Sequence, residues 1–204
     1  MMTERLEDDE LRFMLEAFAQ ANDALVHGEV PVGCTFIFRG EIVGKGRNTV
    51  NETRNATRHA EMNCVDQVLA MTDGASKDHQ CNKFNVDRSY SLSNNEMIDV
   101  SPLPQSDCCK KCVFSEIDVY VTVEPCAMCA DALGQLGVRS VTYGCSNDRF
   151  GGCGSVVDVP ALYGYKIKFR RDVQKEMAVQ LLKEFYKGEN PNAPTGKAKR
   201  KQLK

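Results

Sequence analysis

Apolar residues recur at helical spacing near the front of the chain. Leu11, Met14, Leu15, Phe18, Ala21 and Leu25 predict one amphipathic helix from about Glu10 to Val26. After Pro31 the pattern changes. Val32 to Phe38 is a short apolar run rich in strand formers, Arg39-Gly40 supplies a turn, and Ile42 to Asn48 returns as a second strand, so a hairpin is expected. A second helical pattern runs from about His59 to Ala70, with Val65, Val68 and Leu69 facing inward and Thr57 or Asn55 placed to cap it. Ile117 to Val123 fits a strand buried on both faces. Pro125 precedes a third helix, Cys126 to Gly137, at a helix start where a missing N–H costs nothing. Ser140 to Tyr143 and Tyr165 to Phe169 read as strands, and Val173 to Tyr186 as a last helix.

Residues 72–115 are polar and rich in Ser, Asn, Asp and Lys, with Pro102 and Pro104. Ordinary connections run to about 4–6 residues, so this segment reads as an inserted loop. From Gly188 onward Pro, Asn, Gly and Lys dominate, and the tail is expected to be disordered when free. The order α-β-β-α-insert-β-α-β-β-α predicts one sheet with helices on both faces. That gives a three-layer α/β domain over residues 1–188, followed by a basic tail over 189–204.

Composition narrows the picture. A chain of 204 residues with 42% hydrophobic content can bury one full core. It has no apolar run of about 18 residues, so no membrane span is expected. The start is acidic (Glu4, Glu7, Asp8, Asp9, Glu10) and lacks an apolar export segment, which predicts an intracellular protein, cytoplasmic and/or nuclear. Ten cysteines would suit a small secreted disulfide scaffold. In a core-rich chain without an export signal they point instead to metal ligation for some and buried thiols for the rest, with Cys34, Cys64, Cys145 and Cys153 among the latter. His27 is placed to interact as a cation with the end of the first helix. The net charge is −2, but the last eight residues carry Lys197, Lys199, Arg200, Lys201 and Lys204 and no acid. That asymmetry suits an anionic partner; a nuclear-localisation signal or solubilising charge fits it as well.

The chemistry concentrates in two short segments, His59-Ala60-Glu61 and Pro125-Cys126-Ala127-Met128-Cys129. One imidazole and two thiols are zinc ligands, and three protein ligands leave one tetrahedral position open for chemistry. Cys126 and Cys129, three apart, share a helix face at the positive end of its dipole, which favours thiolates. His59 and Glu61, two apart, can serve one site only if they straddle a helix start. A lone C-x-x-C equally fits structural zinc or an incidental pair, and a lone H-x-E says almost nothing. Together, each after a strand and at a helix start, they form the H-x-E…P-C-x-x-C signature of zinc deaminases.

The chain resembles the zinc-dependent nucleobase deaminases, and among them the tRNA adenosine deaminases and the catalytic subunit of the eukaryotic wobble-adenosine enzyme. The resemblance rests on Glu29-Val30-Pro31-Val32-Gly33, Gly44 to Asn48, Asn55 to Met62, Val121 to Cys129, Arg149 to Val156, Phe185-Tyr186 and Asn190 to Pro194. It covers most of the chain outside residues 72–115. It implies a cytidine-deaminase-like three-layer α/β/α fold with a mixed central sheet, and Zn2+ held by His59, Cys126 and Cys129. The implied reaction is hydrolytic conversion of adenosine 34 of tRNA to inosine, with Glu61 as proton shuttle. Asn48 would hydrogen-bond the base, Val30 and Pro31 would line its pocket, and the backbone near Ala60 would steady developing charge. A paralogous, catalytically inactive subunit is the implied heterodimer partner.

Two other functions compete. Met62-Asn63 and the cysteine-bearing insert have some character of a free-nucleotide deoxycytidylate deaminase. A non-catalytic zinc module that only binds RNA or a partner is the other, and the presence of Glu61 speaks against it. Within the insert, His79, Cys81, Cys109 and Cys112 have the residue types for a second, structural zinc, or are cysteines that bind nothing. If the tail clamps tRNA phosphates, deleting residues 197–204 weakens tRNA binding severalfold at moderate salt and leaves zinc content unchanged. Unaltered affinity in a filter-binding titration would remove the tail from RNA recognition.

Overall fold

The structure is a computed structural model that describes residues 8–72, 89–91, 97–99 and 113–187. The first helix, α1 (Asp8–Val26), starts with three acids against its positive end and buries Phe13, Met14, Ala17, Phe18, Ala21 and Ala24. The buried stripe is narrower than the sequence pattern suggests, and Leu15 stands outside it, 46% exposed. Gly28 (φ +70) closes the helix, and the Glu29 N–H returns to the Ala24 carbonyl at 2.9 Å, as in a glycine-terminated C-cap. The His27 ring lies against the Asp23 carbonyl and carboxylate at this helix end, where expected.

β1 (Gly33–Phe38) and β2 (Glu41–Arg47) form the expected antiparallel hairpin. Its turn is Arg39-Gly40, both at positive φ, the geometry whose twist matches paired strands. A short helix, α2 (Val50–Thr53), follows, then α3 (Ala60–Thr72). Beyond the insert come β5 (Ile117–Val123), α4 (Ala127–Leu136), β6 (Ser140–Cys145), a short α5 (Val159–Tyr163), β7 (Lys168–Arg170) and α6 (Lys175–Lys187). Within the insert, β3 (Ser89–Ser91) and β4 (Met97–Asp99) pair as a separate antiparallel ribbon.

The main sheet has the order β2-β1-β5-β6-β7. β1 is antiparallel to both neighbours, while β5, β6 and β7 are parallel, so the sheet is mixed and only β1 opposes the common direction. Strand alternation sorts side chains into two cores. Cys34, Phe36, Phe38, Val119, Val121, Val141 and Tyr143 meet α3 and α4 on one face. Ile37 and Tyr120 meet Phe13, Met14 and Phe18 of α1 and Ala178 and Leu181 of α6 on the other. The result is the three-layer α/β/α architecture.

Several details depart from the sequence expectation. Neither Thr57 nor Asn55 caps α3. The Asn55 side chain instead accepts from the Thr57 N–H and hydroxyl, holding the turn before the helix, and the His59 carbonyl takes the first helical bond from Asn63. β7 is shorter than Tyr165–Phe169 predicted, because Tyr165 leaves the sheet line to lie on Gly134, where a Cβ would come within 2.0 Å of its ring. α2 and α5 span four and five residues, too short for a helical period to show. The cap on α5 was nevertheless written in the sequence: Asp158 accepts from Ala161 N–H at 3.1 Å, just before Pro160.

One close approach fixes where α3 begins. A Cβ on Gly46 of β2 would lie 2.4 Å from the Ala60 carbonyl oxygen, a backbone atom that cannot rotate away. Gly46→Ala is therefore expected to destabilise the fold by about 1–3 kcal/mol, read from a denaturant midpoint at unchanged slope.

Candidate active site

Because β2 and β5 point the same way, α3 and α4 start from the same edge of the sheet, outside the strands' carboxyl ends. His59 occupies the cap position of α3 and Cys126 that of α4, and Cys129 is buried one turn on. The Sγ atoms of Cys126 and Cys129 each lie 3.5 Å from His59 Nδ1. All three ligand atoms fall within 4.8 Å of one another. Zinc bonds of about 2.3 Å to sulfur and 2.0–2.1 Å to nitrogen, at a tetrahedral angle, span roughly 3.5 Å between ligand atoms. The donor set therefore fits a tetrahedral zinc with one position left over, bound through Nδ1 of His59. The two thiols differ in acidity. A hydrogen bond from Cys129, against the cost of burial and helped by His59, draws Cys126 down to about 4. The same bond, with burial, pushes Cys129 up. The hydrogen bond to Cys126 raises His59.

Glu61, in the first turn of α3, is 3% exposed. Burial, followed by the Cys126 charge, pushes its carboxyl up to about 7. It is thus a buried carboxyl held beside the donors, suited to taking up and giving back a proton near neutral pH.

His59, Cys126 and Glu61 line one cavity of about 750 Å³, with Cys129 fully buried behind them. Asn48, Val30 and Ala60 also line it. Pro31 does not: it is buried at the centre of a three-residue turn closed by the Val32 N–H on the Val30 carbonyl at 2.7 Å, and its neighbour Val32 lines the cavity instead. The tail residues Lys197, Lys199, Arg200, Lys201 and Lys204, and the second-metal candidates His79, Cys81, Cys109 and Cys112, lie outside the described residues. The six described cysteines are all free thiols.

Sequence reasoning missed much of the wall. Residues Ser146 to Phe150 after β6, and Leu182, Lys183 and Tyr186 of α6, line the cavity. Phe150 and Tyr186 are 59% and 69% exposed, with Arg149 stacked over Phe150. Two fully buried carboxylates fasten this wall and the one opposite. Glu124 accepts N–H groups from Asn147, Cys153 and Ser155 at 2.9–3.1 Å. Burial pushes the Glu124 carboxyl up, but these donors outweigh it and hold it below the ordinary range. Glu29 holds the segment 48–52. The signal for both was an acid set inside an apolar run.

Residues 7–145 match the cytidine and deoxycytidylate deaminase zinc-binding region. The chain belongs to this deaminase family. The matched region holds all three donors and Glu61. Among relatives, tRNA-specific adenosine deaminase 2 of Xenopus tropicalis is 44% identical, over 98% of this chain and 100% of its own length. The tRNA-specific adenosine deaminase subunit tad2 of Schizosaccharomyces pombe is 34% identical over 94% of this chain and 40% of its own. A solved structure from work on A-to-I editing by tRNA:A34 deaminases shares the fold, with a TM-score of 0.61 at 20% identity over 84% of this chain and 99% of that one. The family's zinc cofactor agrees with the donor set. No helix among the described residues is long and apolar enough to cross a membrane.

Cys129→Ala removes one of three ligands from a buried site. Metal analysis of the purified variant is expected to show zinc reduced at least tenfold, and its melting temperature should fall to that of the chelator-treated native chain, since the triad assembles only in the folded state.

Proposed function

We propose that this chain hydrolytically deaminates adenosine to inosine at the wobble position, 34, of tRNA anticodons. The observation that carries the reading is the buried Glu61 set against the His59–Cys126–Cys129 triad at the floor of a cavity. Full-length similarity to tRNA-specific adenosine deaminases supports the choice of base and RNA. The rim adds to it. Exposed Phe150 and Tyr186, with Arg149 and Lys183, offer stacking faces and positive charge beyond the space one base needs. Such a rim suits bases of a single-stranded loop splayed on either side of the target, where aromatic stacking contributes about 1–3 kcal/mol per base.

When bound, zinc supplies Lewis acidity that brings water's pKa toward neutrality. The chain's own groups do the rest. Glu61 takes the proton from the water that adds to C6 of adenine and delivers it to the neighbouring ring nitrogen. It then shuttles a proton to the exocyclic amine. The C–N bond breaks, ammonia leaves, and the oxygen stays on C6 as inosine. The Ala60 N–H, in the first turn of α3 where no intrahelical partner exists, steadies the developing charge. Asn48 bonds the nucleoside and Val30 packs on it. The basic tail neutralises phosphates, a paralogous inactive subunit completes a heterodimer, and the enzyme works in the cytoplasm, the nucleus or both. A second zinc in the insert, on His79, Cys81, Cys109 and Cys112, belongs to the same proposal.

Glu61→Gln keeps the volume and removes the proton acceptor. Inosine formation in an adenosine-34 tRNA, measured by mass analysis of the digested RNA with candidate paralogue present, is expected to fall by about 10²–10⁴ while zinc content stays at the native ratio. Retained deamination would exclude Glu61 as the shuttle. Turnover of deoxycytidylate by the native chain, with none of the tRNA, would replace the substrate reading with the free-nucleotide one.

A further inference from the structure

Glu29 is fully buried at the turn that closes α1, its own N–H tied to the Ala24 carbonyl at 2.9 Å. All its side-chain partners are N–H donors from one segment. Oε2 accepts from Asn48 Nδ2 and from Asn51 Nδ2, each at 3.1 Å, and Oε1 accepts from the Glu52 backbone N–H at 2.8 Å. A side-chain amide has a donor end and an acceptor end, and only the donor end can face a carboxylate oxygen. Asn48 is therefore oriented with its NH2 group toward Glu29.

Its other end is then determined. Asn48 is 6% exposed and lines the cavity. Its Oδ1 makes no hydrogen bond within the described residues, yet no buried side-chain N or O there is left without a partner. Oδ1 accordingly opens onto the cavity. We infer that Glu29 is a positioning residue that locks the Asn48 amide so that its carbonyl oxygen, a hydrogen-bond acceptor, is presented to a hydroxyl or N–H donor of the bound nucleoside. The same carboxylate ties down Asn51 and the start of α2, so this wall of the cavity moves as one piece with the end of α1. The inference rests on the proposed adenosine deamination for its kinetic consequence, though not for its geometry.

Glu29→Gln places an NH2 group against one of the two sets of donors, which breaks part of the clasp and frees the Asn48 amide to turn. A tRNA is far larger than a cavity of about 750 Å³ and would make most of its contacts beyond it, so loss of orientation shows in turnover. With the zinc-loaded chain and its paralogue, kcat for inosine formation is expected to fall about 10- to 100-fold while KM for tRNA changes less than about threefold. Asn48→Ala should cost a similar factor, and the double variant should be no slower than Asn48→Ala alone, because one residue acts through the other. Multiplying losses in the double variant, or a rise in KM alone, would overturn the inference. A second measurement needs no substrate. In ¹⁵N-labelled native protein the Asn48 side-chain amide protons should exchange slowly, and Glu29→Gln should speed that exchange with zinc content unchanged. Unprotected Asn48 amide protons in the native chain would overturn the inference even if the variant fails to fold. If the native chain makes no inosine, the substrate reading falls while the exchange experiment still decides the role of Glu29.

Discussion

Everything at the site depends on two helix starts meeting at one point. His59 and Cys126 are both cap residues, and Cys129 is a single turn beyond, so all three donors sit where backbone N–H groups have no intrahelical partner and the helix ends are positive. At Cys126 that environment favours the anionic sulfur a metal requires. It also explains the His59–Glu61 spacing, which on a regular helix would send the two side chains to different sides. The convergence is possible because only β1 runs against the common strand direction. The contact of Gly46 with the Ala60 carbonyl then sets how closely α3 approaches the sheet, and Gly152 sets how closely the loop after β6 approaches the start of α4, where a Cβ would lie 2.6 Å from Ala127 Cα.

The parts of the fold legible in the sequence are those with a period and a cap. α1, the β1–β2 hairpin, β5 and α4 followed from apolar spacing and turn residues, and the triad followed from residue types and spacing. The failures have physical causes. Leu15 belongs to the helical pattern but faces outward, because the sheet covers a narrower stripe than the pattern offers. Tyr165 has strand propensity, yet its ring finds a better bed on Gly134, and packing overrides propensity. The cavity wall from Ser146 to Phe150 was illegible because it has no regular structure. Its shape depends on a carboxylate more than twenty residues away in the chain, and no local pattern encodes a contact of that kind.

Glu29 and Glu124 solve the same problem on opposite walls. Loop N–H groups that turn inward, away from solvent, need acceptors from the protein, and leaving them bare costs about 1–3 kcal/mol each. One buried carboxylate that collects three donors meets that demand at a single point and leaves its own charge compensated. A carboxylate without those donors would itself be too costly to bury. Loop and acid therefore depend on each other, and the cavity keeps its shape without a layer of secondary structure around it.

The manner of the Glu124 fastening has a consequence for how this surface can diversify. Beside the Ser155 hydroxyl, three of its partners are main-chain N–H groups, which every residue except proline carries, so those three bonds do not depend on the identity of the loop's outward side chains. Side chains such as Arg149 and Phe150 can be exchanged without loosening the anchor, while the metal-binding helix starts below remain fixed. A scaffold built this way separates the inheritance of its chemistry from the inheritance of its preferences: the reaction stays constant while the surface that chooses the molecule drifts.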